Sequence, residues 1–132
     1  MAAILTTLHP QTADCQWFTA DVEVHGAPPN PVLSTSDHVV GAGTTADLIA
    51  QLVHIPQVFS GVFLAIPQDV IPSSWIQRFM TDDPPLRTLG PARFELRAFD
   101  TTYLEIYAHT WEDLEALATR FNGQILPLPD SE

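Results

Sequence analysis

The side chains able to do chemistry are few and widely spaced. Cys15 is the single thiol, and histidines stand at positions 9, 25, 38, 54 and 109. A cysteine nucleophile needs a base close in space rather than in sequence, so Cys15 and His25, with Asp21 between them, form one candidate pocket around a first strand. No histidine falls in an H-x-x-x-H or H-E-x-x-H arrangement with a second ligand at helical spacing, and one thiol makes neither a disulfide nor a zinc set. No catalytic residue, metal site or cofactor is therefore assigned.

The segment Gly41-Ala42-Gly43-Thr44-Thr45-Ala46 has the G-x-G-x-x-A form of a dinucleotide-binding turn, in which glycines let a pyrophosphate approach the amides opening a helix. Gly41, Gly43 and Thr44 are thus the candidate ligand-binding residues. Against this stand a short preceding strand, a chain too short for two mononucleotide halves, and the lack of a nearby cation. An ordinary glycine loop opening a capped helix is the simpler reading. The acids Glu112, Asp113 and Glu115 are explained by the positive end of a helix.

These residues have to be positioned by elements. Cys15 to Val24 alternates loosely and reads as a strand ending before the turn at Gly26 to Pro31, with weaker extended pieces at Val32-Leu33 and His38 to Val40. Thr44 and Asp47 have capping-box spacing, so a helix is expected over Thr45 to His54, with Leu48, Ile49, Leu52 and Val53 as its apolar stripe. Gly61 to Ile66 reads as a central strand buried on both faces. Pro72, Ser73 and Ser74 should start a second helix that runs to about Met80, and Thr110 with Asp113 caps a third, stopped at Asn122-Gly123. Gln124 to Leu128 reads as an edge strand, while residues 1–13 and 129–132 are expected to fray.

The strongest pattern is a β-hairpin. Phe94, Leu96 and Ala98 alternate with Arg93, Glu95 and Arg97, and Leu104, Ile106 and Ala108 alternate with Tyr103, Glu105 and Tyr107. Core-facing residues must pair with core-facing residues, which sets Ala98 against Leu104, Arg97 against Glu105 and Phe99 against Tyr103 around a loop at Asp100 to Thr102. If helices cover only the Leu96/Ile106 side, then Arg97, Phe99, Tyr103, Glu105 and Tyr107 form an outward aromatic and charged face of the composition enriched at interfaces. The alternative is that this face is covered as well, by the N-terminal segment or a second copy.

The 132 residues, 45% hydrophobic, suffice for one core, and the expected fold is a single α+β domain over 1–132: a two-layer sandwich with a mixed, mostly antiparallel sheet and three helices. Net charge is −11, lysine is absent, and all five arginines follow residue 77. Duplex nucleic acid and anionic membranes both draw on several cations, so neither is an expected partner. The first ten residues lack the basic and apolar regions of a secretory signal, and a cytoplasmic location is expected. The function expected is a small acidic protein-interaction module of inhibitor, immunity or adaptor type, acting on a basic partner. Two alternatives stand beside it: a ligand-binding protein or enzyme with a pocket near Gly41 to Thr44 or Cys15/His25, and a homo-oligomeric structural component joined by the hairpin face.

Overall fold

The computed structural model describes residues 1–25, 33, 35–55, 57–71, 80–81, 83, 91–99 and 103–126. In chain order these form α1 (Ala2–Leu8), a 3-10 turn (His9–Gln11), β1 (Cys15–His25), β2 (Val40–Gly43), α2 (Thr45–Leu52), β3 (Gln57–Pro67), β4 (Phe94–Phe99), β5 (Tyr103–Ala108) and α3 (Trp111–Phe121). The five strands make one sheet in the order β2-β1-β3-β4-β5. Every neighbouring pair is antiparallel, so the fold is α+β as expected, and the mixed sheet expected is wholly antiparallel among the described residues. No helix among the described residues is long and apolar enough to cross a membrane.

The main core lies between the helices and one face of the sheet. Leu5 and Leu8 of α1, Leu48 and Leu52 of α2 and Leu117 of α3 pack with Trp17, Phe63, Phe94 and Leu96 from the strands. The fraying expected at the N-terminus is overturned, because Leu5 and Leu8 are both fully buried. Burial of side chains of this size contributes about 1.5–3 kcal/mol each, which holds a helix too short to persist alone. A second cluster, Ala20, Val62, Leu64, Ile66 and Ala92, covers the opposite face.

Inside the main core, Thr45 ties three elements together. Its hydroxyl lies 2.7 Å from that of Thr12 and accepts the Trp17 indole N–H at 2.9 Å. A buried polar group is tolerated where its bonds are made, and here the bonds fix the start of α2 against β1 and the end of the 3-10 turn.

The loose alternation of β1 has a structural cause. Ala20 pairs with Val62 and Glu23 with Ser60, so Asp21 and Val22 together oppose Gly61. Asp21 adopts φ 54°, the bulged residue of this mismatch. The bulge inverts the side-chain parity, and Cys15, Trp17, Val22 and Val24 all reach the helix side although Trp17 and Val22 are an odd number of residues apart.

The α2 capping box forms as expected, with Asp47 N–H donating to Thr44 Oγ1 and Thr44 N–H to Asp47 Oδ2. The third expected helix forms over Trp111–Phe121, and Asn122 takes the left-handed cap at φ 54°. Gly41 and Gly43 lie within β2 rather than ending a strand at Val40. Leu33 sits in a bend, and Gln124 to Leu126 are irregular, so the edge strand expected there does not form over these residues. Pro127 and Leu128, the helix expected from Pro72 up to Phe79, and the loop at Asp100 to Thr102 lie outside the described residues; Met80 is not helical.

Candidate functional site

The glycine turn is shaped by its own side chains. Gly43 has φ +87°, and a β-carbon there would come within 2.5 Å of Asp47 Oδ2. The carboxylate therefore occupies the ground an anionic ligand would take, and it accepts the Thr44 amide itself. Gly41 lies over the Phe18 ring, with ordinary contact distances for an added methyl. The arrangement does the work of a helix start, with a negative charge already at the positive helix end.

Cys15 and His25 are the first and last residues of β1. Ten steps of extended chain separate them by about 30 Å, too far for a nucleophile and its base. The Cys15 thiol is fully buried and its pKa is pushed up to about 11, by burial and then by the neighbouring Asp14. A buried thiol held in its neutral form is a poor nucleophile.

The hairpin register is the one set by the alternation: Ala98 faces Leu104, Arg97 faces Glu105 and Phe99 faces Tyr103. The Phe99 and Tyr103 rings stack at 5.0 Å between centroids. The expectation of one outward face is corrected at its centre, since Arg97 is 1% exposed and its neighbour Glu95 is 0% exposed. Arg97 Nε donates to Glu95 Oε2 at 2.7 Å, and Arg97 Nη1 donates to the carbonyls of Thr81 and Asp83. Asp21 Oδ2 accepts from both the amide and the hydroxyl of Thr81, at 2.9 and 2.8 Å. Thr81 and Asp83 are thus tied over this face by two charged side chains from different strands.

The remaining groups of that face are partly covered. Tyr107 donates to Glu105 Oε1 at 2.6 Å, and the Arg97 guanidinium stands 5.5 Å from the Tyr107 ring centre. Burial, then the Glu105 hydrogen bond, pushes the Tyr107 pKa up, and burial pushes that of Glu95 up against the pull of Arg97. Tyr103, at 56% exposure, is the one member of the expected face that stands well out in solvent. The cluster is a structural charge pair with its bonds largely made, except that Glu95 Oε1 has no hydrogen-bond partner.

A different site lies on the helix side, where the sequence reads as core residues of the hairpin and the third helix beside a helix stop and an edge strand. Leu104 and Ile106 of β5, Ile4 of α1, and Leu114, Ala118 and Phe121 of α3 line an open cavity of about 310 Å³ together with Gly123 to Leu126. Leu126 is 67% exposed, and Trp111, at the start of α3, is 59% exposed. Leu126 borders the cavity; Trp111 is not part of its lining. The spacing puts Trp111 in the apolar stripe of α3 with Leu114 and Leu117, but it is exposed, on the flank of α3 opposite Asp113 and Arg120, which bond to Gln11 and Thr7.

Charges of both signs stand around this corner, the exposed Arg120 beside the acids of α3. Arg93 is engaged by Asp14 and the Gln11 carbonyl, Arg97 is buried, and Arg120 donates to Thr7 and lies over Phe121. Glu112 and Glu115 are exposed on α3. No group of three or more metal-ligating side chains is found among the described residues. No family model matches the chain, nor does any curated protein or any solved structure.

Proposed function

We propose that the chain is a protein-interaction module that receives a basic polypeptide at the corner between β5 and α3. The observation that carries this reading is the open apolar cavity of about 310 Å³ bordered by exposed Leu126 and Phe121. Its volume is at the low end of the range for small-ligand pockets, but such pockets also need a few convergent polar groups, and Gln124 is the only polar side chain in this lining. Apolar anchors of a polypeptide need no such groups.

The basic character of the partner follows from charge. With a net −11, and with Arg93 and Arg97 paired to acids, the molecule presents a field that draws in cations and hastens their encounter. Masking a basic protein, as an inhibitor, immunity or adaptor protein does, is the specific role this supports.

The test is native mass spectrometry of the chain purified from its own host at low and moderate salt. Wild type and Val53→Asp, altered at an exposed apolar residue that caps the C-terminus of α2, should carry a basic polypeptide that is lost as salt rises. Leu126→Asp should lose it at every salt. Retention by Leu126→Asp overturns the site, and a small-molecule adduct in place of a polypeptide overturns the class.

A further inference from the structure

We infer that the partner joins the protein as an added strand along β5: an extended, basic segment whose alternate apolar side chains enter the cavity over Leu104 and Ile106. The inference rests on the interaction reading above and specifies the form of the ligand.

β5 is an outer strand of the sheet, hydrogen-bonded on one side to β4 among the described residues. An outer strand carries a row of main-chain donors and acceptors that can template another chain, and proteins usually blunt it with proline, lysine or a bulge. β5 has none of these: its sequence is Tyr-Leu-Glu-Ile-Tyr-Ala, and its pairing runs from Phe94↔Ala108 to Phe99↔Tyr103 without a register shift. The other outer strand, β2, is blunted. It is four residues long, contains Gly41 and Gly43, and its register against β1 shifts between Trp17 and Phe18.

A strand beside β5 sends alternate side chains to the two faces of the sheet. One set lands on the helix side, where Leu104 and Ile106 are only partly buried and floor the cavity. The other set lands beside Tyr103, Glu105 and Tyr107, where a basic side chain meets the Glu105 carboxylate. On α3, Asp113 and Arg120 are tied to Gln11 and Thr7 on the α1 side. At about 3.6 residues per turn, Trp111 and Glu115 stand on the opposite flank, away from α1, and offer an aromatic face and a second carboxylate to the same segment. Main-chain pairing then supplies affinity and the alternation of pockets and charges supplies selectivity. A second copy of this chain is the poorer occupant because it brings another −11 to the same edge.

The experiment is amide hydrogen exchange by NMR on the full chain at low salt. It is run with a short capped peptide alternating lysine with valine, and with a peptide of the same composition whose lysines are grouped at its ends. The alternating peptide should bind roughly tenfold more tightly and slow exchange at every second amide between Tyr103 and Ala108, leaving β2 unchanged. Binding without protection of β5 overturns strand addition while leaving the interaction reading intact. Equal binding of the two peptides, or none by the alternating one, overturns the proposed pattern. Protection of β5 that grows with protein concentration alone assigns the edge to a second copy and overturns the proposed occupant.

Discussion

Arg97 Nε donates to Glu95 Oε2 at 2.7 Å across one intervening residue, and both side chains are buried beneath the face where the alternation alone sends them to solvent. Two residues apart on one strand, they share a face, and the Thr81 and Asp83 carbonyls complete the guanidinium's bonding.

Removing one partner leaves the other charge buried. Arg97→Met should therefore destabilise the protein by about 3–5 kcal/mol at pH 7 in urea denaturation, and Glu95→Leu combined with Arg97→Met should cost less than Arg97→Met alone. Burial raises the Glu95 pKa above its unfolded value. The stability it contributes is therefore present below about pH 4.3 and is lost as pH rises through the folded value. The penalty of Arg97→Met should accordingly shrink as pH is lowered from 7 to 5. A penalty independent of pH would place the loss in the Thr81 and Asp83 carbonyls instead.

Gly61 opposes the Asp21 bulge at φ +152°, where an added β-carbon would sit 3.0 Å from Val22 Cγ2 and 3.1 Å from Val22 Cα. Gly61→Ala should cost about 1–3 kcal/mol in thermal or chemical unfolding. Gly41→Ala, which meets only the Phe18 ring at 3.7 Å, should be close to neutral. Equal effects would mean that the bulge does not constrain Gly61.

The contrast between these positions shows what the sequence could reveal. The hairpin was legible down to its register, because six residues on each strand alternate strictly and one slip would invert them all. The two helices with Thr-x-x-Asp starts were legible because their caps and stripes agree. α1 was not: it spans seven residues, has no side-chain cap, and is held by Leu5 and Leu8 in a core whose other members reach as far along the chain as Leu117. Nor was the bulge, since Asp21 is an ordinary strand residue until its partner strand is known. The burial of Arg97 depends on Thr81 and Asp83, whose neighbourhood in the sequence carries no periodicity to announce it. Of the expected outward face, Tyr103, Glu105 and Tyr107 border the edge proposed for the partner, while the cavity itself needed the tertiary meeting of β5, α1 and α3.

Thr45→Val keeps the shape of the buried side chain but leaves the Trp17 indole without the acceptor it has at 2.9 Å and Thr12 without its hydroxyl partner. The loss should be about 1–3 kcal/mol, with Thr45→Ser recovering much of it. Chemical unfolding followed by tryptophan fluorescence measures both. A neutral Thr45→Val would show that the hub contributes nothing to the joining of α2 with β1.

The central claim is that the β5–α3 corner is where a basic polypeptide binds. It is tested most directly by photo-cross-linking in the native host, with a photoreactive residue placed at Leu126 or, as a control, at Val53, both exposed and apolar. The account predicts a covalent adduct with a basic polypeptide from Leu126 and none from Val53. Adducts of equal yield at both positions, none at Leu126, or a Leu126 adduct only with another copy of this chain would contradict it.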